Sequence, residues 1–384
     1  MNTLQDKAVG SLMGAAVGDA IGGATEGRSA EEILHRYDGY VDGVVDYFMP
    51  DWRTAKPMSP YHKGEGHVTD DTLMTNLLVS VYAKNRRHLT AFDMADDLVP
   101  LMMTQVTWIP ELEKETVPLL RVFLAEKWLV TRLHYGHVDP REAGVGNVVN
   151  CGAAMYMAPV GIANAADPDG AYAEAVEIAG AHQSSYGREA AAVFAAAVAA
   201  AMAPDATVDS VVAAALRLAR DGTRSAVEAC VSAARPGQDW RKAIPLMRNA
   251  VRPFDSVGET YREPDQDSRR PSRLRSIEEV PVALGLLVVT GGDVRKTVLA
   301  ATNYGRDSDS IATMGGAVAG ALGGEASVPV EWVETVGTNS RLDLRSTGVT
   351  MADVAQEIFT SDEAAWQRRS EAVATLSGAT VGGR

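Results

Sequence analysis

The chain is short of almost everything that would mark an extracellular, membrane-bound or nucleic-acid-binding protein. Only two cysteines, Cys151 and Cys230, occur in 384 residues, and no CxxC pair is present. That excludes a disulfide framework and a zinc ribbon built on cysteine. Acidic residues outnumber basic ones 50 to 36, so the net charge is −14 and binding to DNA or RNA gains nothing from counterion release. The N-terminal stretch MNTLQDKAVG lacks the basic region and apolar core of a secretion signal. The apolar runs are interrupted by charge well before the length of a membrane span. A soluble, cytoplasmic protein is expected.

Aromatic residues make up only 6% of the chain, and few segments alternate with the period of a half-buried strand. No HExxH, Walker A loop or GxSxG occurs. Gly144-Val145-Gly146 lacks the third glycine and the preceding strand of a dinucleotide fingerprint. His134 and His137 stand three apart with no third ligand beside them, so a zinc site is not expected there.

Alanine and glycine are plentiful, which favours closely packed helices. Gly10, Gly14, Gly18 and Gly22 recur every four positions within a helical pattern over 5–24 and therefore share one face. Glycine weakens a helix by about 1 kcal/mol per residue. Four of them on one face point to close approach of another helix or a ligand. Gly316, Gly320 and Gly324 repeat the spacing near the other end of the chain, which predicts a tightly packed centre. Residues 38–68 read as irregular. Helical patterns broken by Pro100, Pro110 and Pro118 fill 91–134, Ala-rich amphipathic helices are predicted over 171–202 and 207–234, and helical patterns return over 277–303. The polar stretch 252–276 is predicted to be a mobile loop. An all-α fold is predicted, as a single domain over 1–370 with a flexible tail over 371–384.

Acidic residues gather at two helix starts. Thr69-Asp70-Asp71-Thr72 precedes an apolar helical pattern, with Thr69 or Asp70 as the cap. Asp307-Ser308-Asp309-Ser310 lies between Gly305 and the second glycine-faced helix. Four carboxylates and two hydroxyls, each group at the mouth of a helix, suit one or two hard divalent cations. Asp265 and Asp267 have the same spacing with no helix behind them, and read as solvated loop.

Five segments in order resemble the ADP-ribosylglycohydrolase family: GSLMGAAVGDAIGGATEG at 10–27, GHVTDDTLMT at 66–75, NCGAAMYMAPVG at 150–161, AGAHQSSYGREAA at 179–191 and NYGRDSDSIATMGGAVAGA at 303–321. The resemblance implies an all-helical fold around two Mg²⁺ or Mn²⁺ ions. It maps the metal ligands onto Thr69, Asp70, Asp71, Asp307, Asp309 and Ser310. It implies acid–base or catalytic roles for Glu26, Asp70 and Asp309. It places Cys151, Gly152, Met155, Tyr156, His182, Asn303 and Arg306 around the substrate. The implied activity is hydrolysis of a ribosyl glycosidic bond, an ADP-ribosyl N- or O-linkage on a protein or a small nucleotide-like molecule. The alternatives are a small-molecule N-ribosyl hydrolase that does not act on ADP-ribosylated protein, a non-catalytic binding protein on the same fold, and, last, a metal-dependent phosphohydrolase. The chain departs from the family in four places. Ser310 stands for threonine, Cys151 for asparagine, Tyr156 for arginine, and Arg306 for a second glycine before the first aspartate. An arginine lost at 156 and gained at 306 predicts altered substrate recognition.

Overall fold

The computed structural model describes residues 3–50, 63–254 and 273–377. The principal helices are α1 (Leu4–Gly22), α2 (Asp70–Asn85), α3 (Pro168–Ala179), α4 (Ser185–Ala201), α5 (Val208–Leu218), α6 (Asp221–Ala233), α7 (Arg273–Thr290), α8 (Val294–Tyr304), α9 (Ser308–Gly323) and α10 (Leu344–Leu376). Among the described residues the only sheet is one antiparallel hairpin, β1 (Thr107–Ile109) with β2 (Lys114–Thr116). The fold is all-α, as expected. No described helix is long and apolar enough to cross a membrane.

The centre is the pair α1–α9. A Cβ added at Gly14 would lie 2.9 Å from the carbonyl carbon of Gly316, and one at Gly22 would lie 2.7 Å from Cα of Asp309. Gly10 meets Gly320 and Gly18 meets Ala312 in the same way. These pairings run in opposite directions along the two helices, so α1 and α9 are antiparallel and touch backbone to backbone. The end of α1 therefore lies beside the start of α9. Gly348 of α10 packs just as closely on Val9, from another side of α1.

Several boundaries differ from those expected. The stretch 171–202 is two helices, α3 and α4, separated by the turn around Gly180–Ser184, and 207–234 is likewise divided into α5 and α6. Alanine recurs on both sides of each break and hides it, because alanine is the best helix former and marks no boundary. Of the stretch 252–276, expected to be a loop, Arg252–Phe254 form a 3-10 turn and α7 begins at Arg273. The rest of that stretch, with Asp265 and Asp267, lies outside the described residues. Helix α10 runs on to Leu376, so residues 371–376 of the expected tail are helical, and 378–384 lie outside the described residues. Pro110 and Pro118 each stand in the first turn of a short 3-10 piece, where a missing N–H costs no hydrogen bond, and Pro100 directly follows a π-helical turn, Met94–Leu98, inside a continuous helical run.

Far from the centre, His88 joins α3 to α10. Its Nδ1 lies 2.6 Å from Glu174 and its Nε2 2.9 Å from Asp362. The hydrogen bond to Glu174 is the main reason that its pKa rises to about 9, above the usual value of about 6.5. A group whose folded pKa is raised stabilises fully below its unfolded pKa and stops doing so as pH rises through the folded one. The His88 contribution is therefore present below about pH 6.5 and is lost through about pH 9. The ring is 38% exposed, so screening holds the effect to roughly 1 kcal/mol or less. Melting temperatures of wild type and His88→Gln are expected to differ at about pH 6 and to converge by about pH 10. A gap that stays constant would mean that the imidazolium contributes nothing.

Candidate metal centre

The antiparallel glycine pairing brings four chain segments to one point. The turn after α1 supplies Glu26, the first turn of α2 supplies Asp71, and the start of α9 supplies Asp307 and Asp309. Asp19, one turn before the end of α1, joins them. Carboxylate oxygens of Asp19, Asp71 and Asp309 lie within 4.8 Å of one another, and so do those of Glu26, Asp307 and Asp309. A third group, Cys151, Glu279 and Asp307, satisfies the same limit. Asp309 belongs to the first two groups and Asp307 to the last two, so the three form one continuous line.

Local hydrogen bonds hold these elements in place. Asp19 is fully buried and accepts from the backbone N–H groups of Thr69, at 2.9 Å, and Thr72, at 3.1 Å, and from the Thr72 hydroxyl. It thus ties α1 to the positive end of α2. Thr69 caps α2 by accepting from Asp71 N–H. Thr25 Oγ1 donates to the Thr302 carbonyl at 2.8 Å and lies 3.0 Å from Ser308 Oγ, which fastens the turn carrying Glu26 onto α8 and α9.

The electrostatics are strongly unfavourable in the absence of a cation. Burial, then Asp19, Asp70 and Asp307, push the Asp71 carboxyl well above the usual range. Burial, then Asp71 and Asp307, do the same to Asp309. Asp71 is 2% exposed, and its Oδ1 has no hydrogen-bond partner. A buried carboxylate oxygen left unmatched is costly, and a divalent cation would satisfy it. The donor set of carboxylates and hydroxyls is the one that hard cations take, so the residues fit such an ion.

The site residues expected from sequence divide into three sets. Glu26, Asp71, Asp307 and Asp309 converge, and Thr69 and Ser310 lie against them. Ser310 hydrogen-bonds Asp71, and Cys151 Sγ lies 3.4 Å from Ser310 Oγ and 3.0 Å from Asp307 Oδ2, to which its single proton is donated. Asp70 is engaged elsewhere. Its Oδ1 accepts from Arg121 at 2.7 Å and its Oδ2 from Phe123 N–H at 3.2 Å. Arg121 is buried and also meets Glu111 at 3.2 Å.

Asn303 and Arg306, expected at the substrate, are committed to the scaffold. Asn303 exchanges two 2.8 Å hydrogen bonds with the backbone of Val41. Arg306 lies 2.7 Å from Glu278, which also accepts from the Tyr304 hydroxyl. The backbone at Arg306 is left-handed, with φ +57°. That conformation costs a residue with a side chain roughly 1–2 kcal/mol, which explains why glycine is usual here. The buried ion pair with Glu278 is what the arginine gains instead.

The loop 150–156 lies behind Cys151, and all of it is buried. Gly152 has no side chain because Glu126 Oε1 fills the place of its Cβ. His182 is fully buried, and burial holds its pKa down to about 4, so it is neutral near pH 7. Its Nε2 faces the Ala125 carbonyl at 3.0 Å and must donate there. Its Nδ1 therefore accepts from the Tyr156 hydroxyl at 3.1 Å. Both ring nitrogens thus have hydrogen-bond partners, and Glu126 Oε1 lies 3.5 Å from Nε2. Met155 is buried in the core.

Four residues of this region were not expected: Asp19, Arg121, Glu126 and Glu279. Asp19 had a signal, as the one charge after Lys7 in an otherwise apolar glycine-faced helix. The others come from proline-broken or polar stretches and reach the site through the fold alone.

An all-helical protein with a line of buried carboxylates at helix mouths is what these features define. The family model for ADP-ribosylglycohydrolases matches residues 1–367, and the chain belongs to that family, whose members are glycohydrolases that generally use divalent metals. No curated protein matches the chain. Among solved structures it is similar to an "ADP-ribosylglycohydrolase-related protein complex", with a TM-score of 0.60 and 18% identity over 92% of this chain and 100% of that one. That likeness concerns the fold.

Proposed function

We propose that the chain hydrolyses a ribosyl glycosidic bond, an ADP-ribosyl N- or O-linkage, with two Mg²⁺ or Mn²⁺ ions as cofactors. The observation that carries this reading is the sharing of Asp309 and Asp307 between adjacent carboxylate groups, which gives two neighbouring cation positions. Asp71, Asp307, Asp309 and Ser310 would hold the ions, with Thr69 beside them and Glu26 and Asp19 completing the charge. Cations held there supply Lewis acidity towards ribose hydroxyls and lower the pKa of a water molecule towards neutral. The bond breaks through an oxocarbenium-like state. Glu26, 8% exposed and in the middle group of the carboxylate line, takes the proton of the attacking water. Asp70, held by Arg121, fixes the turn that presents Thr69 and Asp71 and acts as a positioning residue.

The Tyr156–His182 pair supports a second reading, in which the substrate is a small ribosyl compound rather than a modified protein. Their rings stack at 5.8 Å and both are buried, so the position where many relatives have arginine offers no cation.

The test is incubation with ADP-ribosyl-arginine, O-acetyl-ADP-ribose, NAD and ribonucleosides, with Mg²⁺, Mn²⁺ or chelator, and mass spectrometry of the products. Chelator-sensitive release of ADP-ribose is expected. Release of free ribose from nucleosides alone would favour the second reading. Absence of release together with absence of bound metal would leave a binding protein.

A further inference from the structure

Helix α10 outruns the body it packs on. Gly348, Met351, Val354, Ala355 and Ile358 are buried and anchor its first half, while none of residues 359–376 is buried. That second half is about 27 Å long. It still carries large apolar side chains in solvent: Phe359 is 61% exposed, Trp366 69%, Val373 52% and Leu376 87%. Phe359, Trp366 and Val373 stand seven residues apart. A helix drifts by only about 20° over that spacing, so the three form one stripe with Trp366 at its middle. Most helical stability in proteins comes from packing such a face, and contiguous exposed apolar surface marks an interaction site.

The charges beside the stripe identify what covers it. Asp362 and Arg369 are also seven apart, so they lie together along one side of it. Both are exposed, and Arg369 forms no ion pair among the described residues. Two copies of the helix laid antiparallel, with Trp366 against Trp366, bring Phe359 level with Val373 and Asp362 beside Arg369, each pair occurring twice. A parallel, in-register pairing sets Asp362 against Asp362 and Arg369 against Arg369, which repels. We propose that the second half of α10 is a homodimer interface, on which a second copy of this chain lays its own α10 antiparallel about Trp366. The contact is isologous, as a twofold dimer requires, with aromatic and aliphatic side chains at its centre and opposite charges at its edge. Asp362 meets His88 through Oδ2, which leaves its other oxygen for the arginine. No residue of the carboxylate line takes part.

Sedimentation equilibrium of the full chain over a range of concentrations tests this. Wild type is expected to dimerise. Trp366→Ala, at an exposed position where alanine suits a helix, is expected to keep the circular-dichroism spectrum and to weaken the dimer about thirtyfold or more, the cost of losing a central aromatic anchor. Arg369→Asp sets like charges across the axis and is expected to weaken it about tenfold. Adding Asp362→Arg restores opposite charges and is expected to recover most of that loss. A wild type that stays monomeric overturns the proposal and leaves the stripe to another occupant, and so does a dimer that Trp366→Ala leaves intact. An unaffected Arg369→Asp, or a loss that the second change does not recover, overturns the antiparallel pairing. Should Trp366→Ala lose helix, the charge exchange alone decides.

Discussion

Asp309→Asn is expected to abolish ribosyl release, by more than about a hundredfold, while making the chelator-treated protein more stable. Outer-shell partners of a metal typically cost 10–100-fold when lost, and Asp309 is shared by two of the acid groups. The stability gain follows from the same geometry. Without a cation, Asp309 is a buried carboxyl pressed against Asp71 and Asp307, and burial with their charge raises its pKa well above normal. An amide of the same shape removes that repulsion. It also gives up a favourable charge in the first turn of α9, which is worth only about 0.3–1 kcal/mol. The melting temperature in chelator should therefore rise, and the increment that wild type gains from Mg²⁺ or Mn²⁺ should shrink. Opposite movement of activity and stability is the pattern expected of a functional site held against its own electrostatics. A variant with full activity, or one that melts lower than wild type in chelator, would falsify the assignment.

Gly14→Ala is expected to destabilise the protein by about 3 kcal/mol or more, the upper range for overpacking. Two principles give opposite signs here. Helix propensity alone favours alanine by about 1 kcal/mol. Packing opposes it, because the new Cβ would lie 2.9 Å from the carbonyl carbon of Gly316 and nearer still to its oxygen. Both atoms are backbone, so nothing short of moving α1 away from α9 relieves the clash. That movement also separates Glu26 and Asp19 from Asp309, so activity should fall with stability. Gly43→Ala is the control: its nearest neighbour is a Trp332 side-chain atom at 3.8 Å, and its effect should stay within about 0.5 kcal/mol, as for an ordinary surface change. Urea denaturation of the two variants distinguishes the arguments, and a stabilised Gly14→Ala would show that the helix contact is looser than described.

The same contact shows why much of this molecule was legible before its structure. Glycine every fourth residue is a strong pattern because it runs against propensity, and both halves of the pair carried it. Asp70-Asp71 and Asp307-x-Asp309 stood out because acids at the mouths of apolar helices demand a reason. What sequence hid was direction. Asp70 and Asp71 are neighbours in the chain, yet one points to Arg121 and the other into the carboxylate line. Arg306 suggested a phosphate or carboxylate partner, and the carboxylate it meets, Glu278, lies on another helix that sequence could not place beside it. Residues 371–384 read as a tail because they have too few apolar residues to require burial, but 371–376 continue a helix whose first half is anchored on α1.

The joining of α1 to α9 also has a consequence for how the protein comes into being. The hydrogen bond from Ser308 Oγ to the Gly22 carbonyl spans 286 residues, and neither glycine face has a partner until the other has been synthesised. Contacts this distant in the chain make folding slow, since a large loop must close before they reward it. During synthesis the first helix must wait, apolar and uncovered, for almost the whole chain to emerge. Any fragment ending before α9 would expose that surface and lack half the carboxylates, so the protein has no working smaller version of itself.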